Sequence, residues 1–315
     1  MNKIVPLISS RVAGPLGVRH LPRFWSMVSL EALRRLAPGY SSVSLGLDEI
    51  LLDGLGLKRE ALIDSIEAKR PTYTQFEELI RKQPEIKLDA SSIAQINGAI
   101  VNYKHEDAIR TSILNTCGLS NETCSLREAV GLDQLRDWHA FHTLLKSERA
   151  AKFVPLISSG VAGPLGILHL PRLWSKVLLD ARGQLATGYS SVGSGLDEIL
   201  LDRLGLKKEA VIAYIHEKRP TYIQFEEWVR NHPDTALHLD SIAIWQLNAE
   251  IAEHRHPYAT RMLIFSRCGL TEGTCSTKTE GTCSTKDAIS LDNLENWQAF
   301  YEYVVSLDTA KIIRT

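Results

Sequence analysis

The stretch PLISSRVAGPLGVRHLPRFW, residues 6–25, returns as PLISSGVAGPLGILHLPRLW at residues 155–174. The match extends well beyond these twenty positions. Val5–Pro84 aligns with Val154–Pro233 without a gap, and about two-thirds of the paired positions are identical. A two-residue shift then brings Gln95, Asn97 and Cys117 opposite Gln246, Asn248 and Cys268, and the match resumes at Trp138 and Trp297. A period this long is that of a duplicated domain rather than a solenoid unit. The expected organisation is two lobes, residues 1–150 and 151–315. The join, SERAAKF at 147–153, has no flexible spacer, so the lobes are expected to pack as a pseudo-twofold dimer.

Within one copy the periodicity is helical. After the GPLG loop, Leu21, Trp25, Val28, Ala32 and Leu36 recur at helical spacing, with Pro22 suited to a first turn and Pro38-Gly39 as the expected stop. Leu47, Ile50, Leu51 and Leu55 form a second stripe, interrupted by Gly54 and Gly56. KREALIDSIEAKR closes at Pro71, and Thr72 with Gln75 forms a capping-box pattern ahead of Tyr73, Phe76 and Ile80. No sustained alternating run calls for a sheet. The fold class is therefore all-α, with about seven helices per lobe.

The chain has 315 residues, 44% of them hydrophobic and 23% charged, an ordinary globular composition. With 36 basic and 37 acidic residues the formal charge is −1, which offers no general attraction to nucleic acid or anionic membrane. Neither an uninterrupted apolar leader nor a run of about 18 apolar residues occurs, so a soluble, cytoplasmic protein is expected. Five cysteines, an odd number, suit reduced thiols, and the Cys-x6-Cys spacing is not that of a zinc knuckle. TEGTCSTKTEGTCSTK, residues 271–286, copies an eight-residue unit and reads as a surface loop.

Three constellations carry candidate chemistry. In the first, VAGPLG lacks the phosphate-loop and dinucleotide spacings but brings small residues up to a helix N-terminus, where free amides favour an anion. Arg23 and Arg172 are candidate carboxylate clamps beside Trp25 and Trp174, and His20 and His169 are candidate proton-transfer groups. The plain alternatives are a solvent-facing or interface salt bridge for Arg23, roughly opposite Trp25 on the wheel, and a loop-pinning backbone bond for His20. In the second, Tyr40, Asp48, Glu49 and Asp53 reappear as Tyr189, Asp197, Glu198 and Asp202. These are candidate general acids and bases, or helix-dipole partners. In the third, Arg70, Tyr73 and Glu77 recur as Arg219, Tyr222 and Glu226; Tyr73 reads as core, and Arg70 and Glu77 as an interhelical ion pair. Of ten histidines only His20 and His169 recur in the aligned copies, which speaks against a repeated metal cage.

LPRxW, GYSSV, LDEILLD and LGL together resemble an uncharacterised bacterial family of small helical proteins of unknown function, with an LPR helix, a Tyr-containing loop and an LD…LGI unit. The resemblance spans about the first 80 residues of each copy, through Leu21-Pro22-Arg23, Leu170-Pro171-Arg172, Leu47-Asp48 and Leu196-Asp197. It implies kinship and no mechanism.

The leading expectation is a cofactor-independent enzyme acting by acid/base chemistry on a small, anionic metabolite. His169, Tyr189, Asp197 or Glu198 would move protons and Arg172 would anchor, with His20, Tyr40, Asp48, Glu49 and Arg23 as first-copy equivalents. The second copy is favoured because Gly160, Gly193 and Gly195 leave more room than Arg11, Ser44 and Gly46. The rival readings are a noncatalytic ligand-binding or scaffold protein and a metal-dependent enzyme using a histidine with carboxylates.

Overall fold

The computed structural model describes residues 2–147, 151–235, 239–271 and 287–312. The regular elements among these residues are all helices, with isolated bridges and no strand. The first copy of the sequence forms α1 (Leu21–Ala32), α2 (Leu47–Leu55), α3 (Arg59–Lys69), α4 (Tyr73–Arg81), α5 (Ala90–Asn102), α6 (Asp107–Thr116) and α7 (Ala129–Ser147). The second forms α8 (Leu170–Ala181), α9 (Leu196–Leu204), α10 (Lys208–Lys218), α11 (Tyr222–Asn231), α12 (Ser241–Glu253), α13 (Tyr258–Arg267) and α14 (Ala288–Ile312), plus a 3₁₀ turn at Pro233–Thr235. None of these helices is long and apolar enough to cross a membrane. Positions 272–286, which hold nearly all of the TEGTCSTK copy, lie outside the described residues.

Matching sequence produces matching ends. The Thr72 hydroxyl accepts from the Gln75 amide at 3.3 Å while the Gln75 side chain accepts from the Thr72 amide at 3.0 Å. Thr221 and Gln224 repeat this capping box at the start of α11. α2 and α9 end on Gly56 and Gly205 at φ 74° and 67°, the left-handed turn that glycine adopts without a Cβ penalty. The first helix ends earlier than its hydrophobic period suggests. α1 stops at Ala32, because the Arg35 amide turns back to Leu30 O at 2.7 Å with Arg34 at φ 54°. Leu36 therefore leaves the helical stripe and instead bridges Ile4, where it is still buried.

The chain packs into two compact units that do not coincide with the two sequence copies. Unit 1 is Met1–Tyr103 with Arg255–Thr315, and unit 2 is Lys104–His254. Unit 1 thus holds α1–α5, α13 and α14, and unit 2 holds α6–α12. In unit 1 the core surrounds Trp25 and Phe24, both 0% exposed, with Tyr73 edge-on to Trp25 at 5.5 Å. In unit 2 Trp174 takes the same place, with Tyr222 edge-on at 5.6 Å. The indole N–H groups donate to Pro71 O and Pro220 O, each at 3.0 Å, so both tryptophans are fully satisfied in the interior.

Candidate functional site

The stretch that opens each copy folds as a loop closed by three side chains, two from elsewhere in its unit and one of its own. In unit 1 the Leu16 amide donates to both oxygens of Glu77 on α4, at 3.3 and 3.2 Å. Asn97 on α5 accepts from the Arg19 amide at 2.8 Å and donates to Gly17 O at 2.8 Å. In unit 2 Leu165 donates to Glu226 at 2.7 Å, and Asn248 bridges Leu168 and Gly166 O at 2.9 and 2.8 Å. The small-residue loop does bind an anion, as amides near a helix N-terminus favour, but that anion is the chain's own glutamate. Gly14 and Gly163 are required here because a Cβ at either would collide with the ring of Tyr73 or Tyr222.

The third side chain is the histidine itself. His20 and His169 sit at the N-caps of α1 and α8 in the left-handed conformation, at φ 68° and 67°. Such a backbone costs about 1–3 kcal/mol for a non-glycine residue and persists only where its surroundings fix it. Both ring nitrogens do so. His20 Nε2 lies 2.8 Å from Asp48 Oδ1 and Nδ1 lies 2.8 Å from Ser10 Oγ. His169 repeats this with Asp197 and Ser159, both at 2.8 Å. An ionised carboxylate can only accept, so Nε2 donates to the aspartate, and Nδ1 shares the second bond with the serine hydroxyl. The order is serine, histidine, aspartate, yet the two serines are each 2% exposed and the two histidines 3% and 2%. The network joins loop, helix start and α2 or α9 in the interior.

The two copies differ at one oxygen of this network. Asp48 Oδ2 accepts from the Ser44 amide at 2.6 Å and the Ser44 hydroxyl at 2.9 Å. Asp197 Oδ2 accepts from the Gly193 amide at 2.7 Å, and its second donor is the ammonium of Lys176. Met27 stands where the second copy has Lys176, so the loss of one hydroxyl and the gain of one ammonium occur together. Burial pushes the Asp48 carboxyl upward, but the bond and charge of His20, with Ser44, outweigh it and leave it below the usual carboxylate range. Asp197 is lowered further, burial again being outweighed by His169 and Lys176. His169 itself is lowered, chiefly by burial; Asp197 opposes this, and Lys176 and Arg172 add to it.

The other candidates occupy varied places. Arg23 is a correction to the solvent-facing reading. It is 4% exposed, because its guanidinium donates to Pro6 O and Ile8 O at 2.8 and 3.0 Å and closes the turn ahead of the GPLG loop. Arg172 does the same to Pro155 O and Ile157 O. Trp25 and Trp174 lie in the cores. Tyr40 and Tyr189 are half-buried on the loops before α2 and α9, and Glu49 and Glu198 are exposed. The Glu49 carboxylate caps α2 from Gly46 N at 3.4 Å, whereas Glu198 lines a surface cleft of about 770 Å³ with Gly193, Ser194, Asp202, Lys207 and Lys208. Tyr73 is core, as its spacing indicates, and its hydroxyl donates to Glu77 at 2.5 Å.

A second recurring histidine also emerges. His105 pairs with Asp133 at 3.0 Å and His256 with Asp292 at 2.6 Å. The two-residue shift hides this correspondence from an alignment at a single offset. Ser10 and Ser159 were missed as partners because nothing local marks them; their recurrence ten residues before each histidine was the available signal. Among the described residues no group of three or more His, Cys, Asp or Glu side chains is placed to hold a metal ion. Cys117 and Cys268 are buried thiols pushed up to about 12, chiefly by burial, and are poor nucleophiles.

A groove of about 920 Å³ in unit 1 is lined by Pro15 of the GPLG loop and by Glu77. Pro15, Pro71, Leu79 and Leu270 line it with four cations, Lys69, Arg81, Lys82 and Arg267, and two carboxyl groups, Glu77 and Glu78. Arg267 also reaches Glu302 at 2.9 Å.

Two measurements check this geometry. Lys176→Met removes one donor from buried Asp197 and is expected to destabilise unit 2 by about 1–3 kcal/mol. A serine at position 193 has room, its Cβ meeting Asp197 Oδ2 at an ordinary 3.5 Å, so adding Gly193→Ser is expected to restore most of the loss in urea denaturation. An unchanged Lys176→Met, or a double variant no more stable than the single, would contradict the exchange of donors. The second concerns Glu226, raised to about 7 chiefly by burial. A carboxyl with a raised folded value stabilises the fold fully at acid pH, and that contribution is lost as pH rises from about 4.5 to about 7, by roughly 3 kcal/mol. Glu226→Gln is expected to remove this slope from melting curves recorded between pH 5 and 8, and a slope identical to that of the parent protein would refute the assignment.

Set against known proteins, the chain matches no family model, no curated protein and no solved structure.

Proposed function

We propose that this chain is a noncatalytic small-molecule-binding protein, that its recurring polar residues hold the fold, and that its ligand site is the groove of unit 1. One observation carries the reading. His20, Arg23 and Asp48, and His169, Arg172 and Asp197 in the second copy, are bonded to buried chain atoms, whereas the cations lining the groove are exposed. A volume of about 920 Å³ is in the range that holds a metabolite-sized molecule. Apolar lining residues and an excess of four cations over two carboxyl groups favour an organic anion, such as a carboxylate with a hydrocarbon body, bound more weakly as salt rises. We read the long repeat as the duplication of a single-copy ancestor, and the buried free thiols Cys117, Cys124 and Cys268 as suited to a reducing compartment such as the cytoplasm.

A second reading, acid/base catalysis on a small anionic metabolite, is favoured by the placement of Glu198. It lines the unit 2 cleft together with Asp202, a second candidate acid, and the cleft also holds Lys207 and Lys208. The two readings part in one set of experiments. Titration with mono-, di- and tricarboxylates, followed by thermal shift and calorimetry, is expected to find a ligand whose affinity falls at least tenfold in Lys82→Ala with Arg267→Ala. His20→Ala with His169→Ala is expected to lower thermal stability without altering any conversion. If no carboxylate binds, or the double groove variant binds as well as the parent protein, the groove assignment is wrong. If Glu198→Gln instead abolishes a conversion at unchanged stability, catalysis at the unit 2 cleft replaces it.

A further inference from the structure

We infer that the two sequence copies exchange their C-terminal helices, so that the chain is a covalently joined exchanged dimer whose docking element is the helix carrying Trp138 or Trp297. The inference rests on the composition of the compact units and goes beyond the ligand reading, which stands or falls separately. Unit 1 combines α1–α5 of the first copy with α13–α14 of the second, and unit 2 combines α8–α12 of the second with α6–α7 of the first.

The contacts that complete each core are the same contacts with the partners crossed. On α14, Trp297 meets Tyr73 edge-on at 4.6 Å, Phe300 meets Trp25 at 6.2 Å, and the Tyr301 hydroxyl donates to Arg70 O at 2.8 Å. On α7, Trp138 meets Tyr222 at 4.6 Å, Phe141 meets Trp174 at 6.3 Å, and His142 Nε2 donates to Arg219 O at 2.9 Å. Each pair therefore has one member before residue 104 or 148 and the other in the opposite copy. The accepting carbonyls belong to Arg70 and Arg219, left-handed at φ 44° and 45°, which turn them out past the ends of α3 and α10.

The crossing points are alike too. Tyr103 after α5 and His254 after α12 have the same backbone conformation, at φ −61°, ψ 136° and φ −58°, ψ 139°, so the two copies pass from one unit to the other through matching residues. The socket formed by Trp25 and Tyr73, or by Trp174 and Tyr222, is closed by the Trp-x-x-Phe face of the other copy. A second chain carrying one copy would be accepted on the same terms, so the partner chemistry is that of another copy of this sequence.

Hydrogen–deuterium exchange on the full chain tests the crossing directly. Trp297→Phe is expected to speed amide exchange at least tenfold in α1 and α4 while leaving α8 and α11 as in the parent protein. Trp138→Phe is expected to do the reverse. Should either variant fail to fold, Phe300→Leu and Phe141→Leu remove less and are read in the same segments. Deprotection within the same copy, α8 and α11 for Trp297→Phe or α1 and α4 for Trp138→Phe, would overturn the inference, as would equal deprotection of both.

Discussion

The fold of each unit depends on a buried imidazole held between a serine hydroxyl and a carboxylate. The chain reaches the start of α1 or α8 through a histidine in a left-handed backbone conformation, which no bulky residue adopts without support. The aspartate supplies that support from the first turn of α2 or α9, where the helix dipole already favours its charge. One bond thus fixes a loop, a helix entry and the placement of a second helix. Removing either partner would leave a polar group in the interior without its bond, a loss of about 1–3 kcal/mol for each such group.

Around that bond the chain supplies its own ligands. Glu77 and Glu226 fill the amide-lined turn of the GPLG loop, Asn97 and Asn248 hold its far end, and Arg23 and Arg172 gather the carbonyls ahead of it. This is why groups suited to catalysis recur together: they need one another in order to be buried. The change from Met27 and Ser44 to Lys176 and Gly193 follows the same requirement. Asp197 Oδ2 keeps two donors although both the loop and the helix have changed, and a buried carboxylate tolerates no fewer without a large loss.

Much of the local structure was legible in the sequence, since it rests on short-range rules. The capping boxes at Thr72 and Thr221, the stripe through Leu47, Leu51 and Leu55, and the burial of Tyr73 follow from spacing alone. Pairings over long separations were not legible. Arg23 looked solvent-facing because a helical wheel shows only its own helix, and the carbonyls it binds are 17 and 15 residues upstream. Leu36 looked helical because its period continues past the turn that ends α1. Ser10 gave no local sign of its bond to His20, and His105 and His256 were separated by a shift that a single offset conceals. Above all, a repeat in sequence specifies which helices are alike and not which of them share a core. The units change copy between Tyr103 and Lys104 and between His254 and Arg255, at places that no local pattern marks.

The central claim is that the recurring histidines are interior supports, and nitrogen-15 NMR of histidine-labelled protein tests it most directly. Two ring N–H signals, from His20 and His169, are predicted to persist for hours after transfer into deuterated water, and each to lose its protection when its own partner, Asp48 or Asp197, is replaced by alanine. Ring N–H protons that exchange at once in the folded protein would contradict the account.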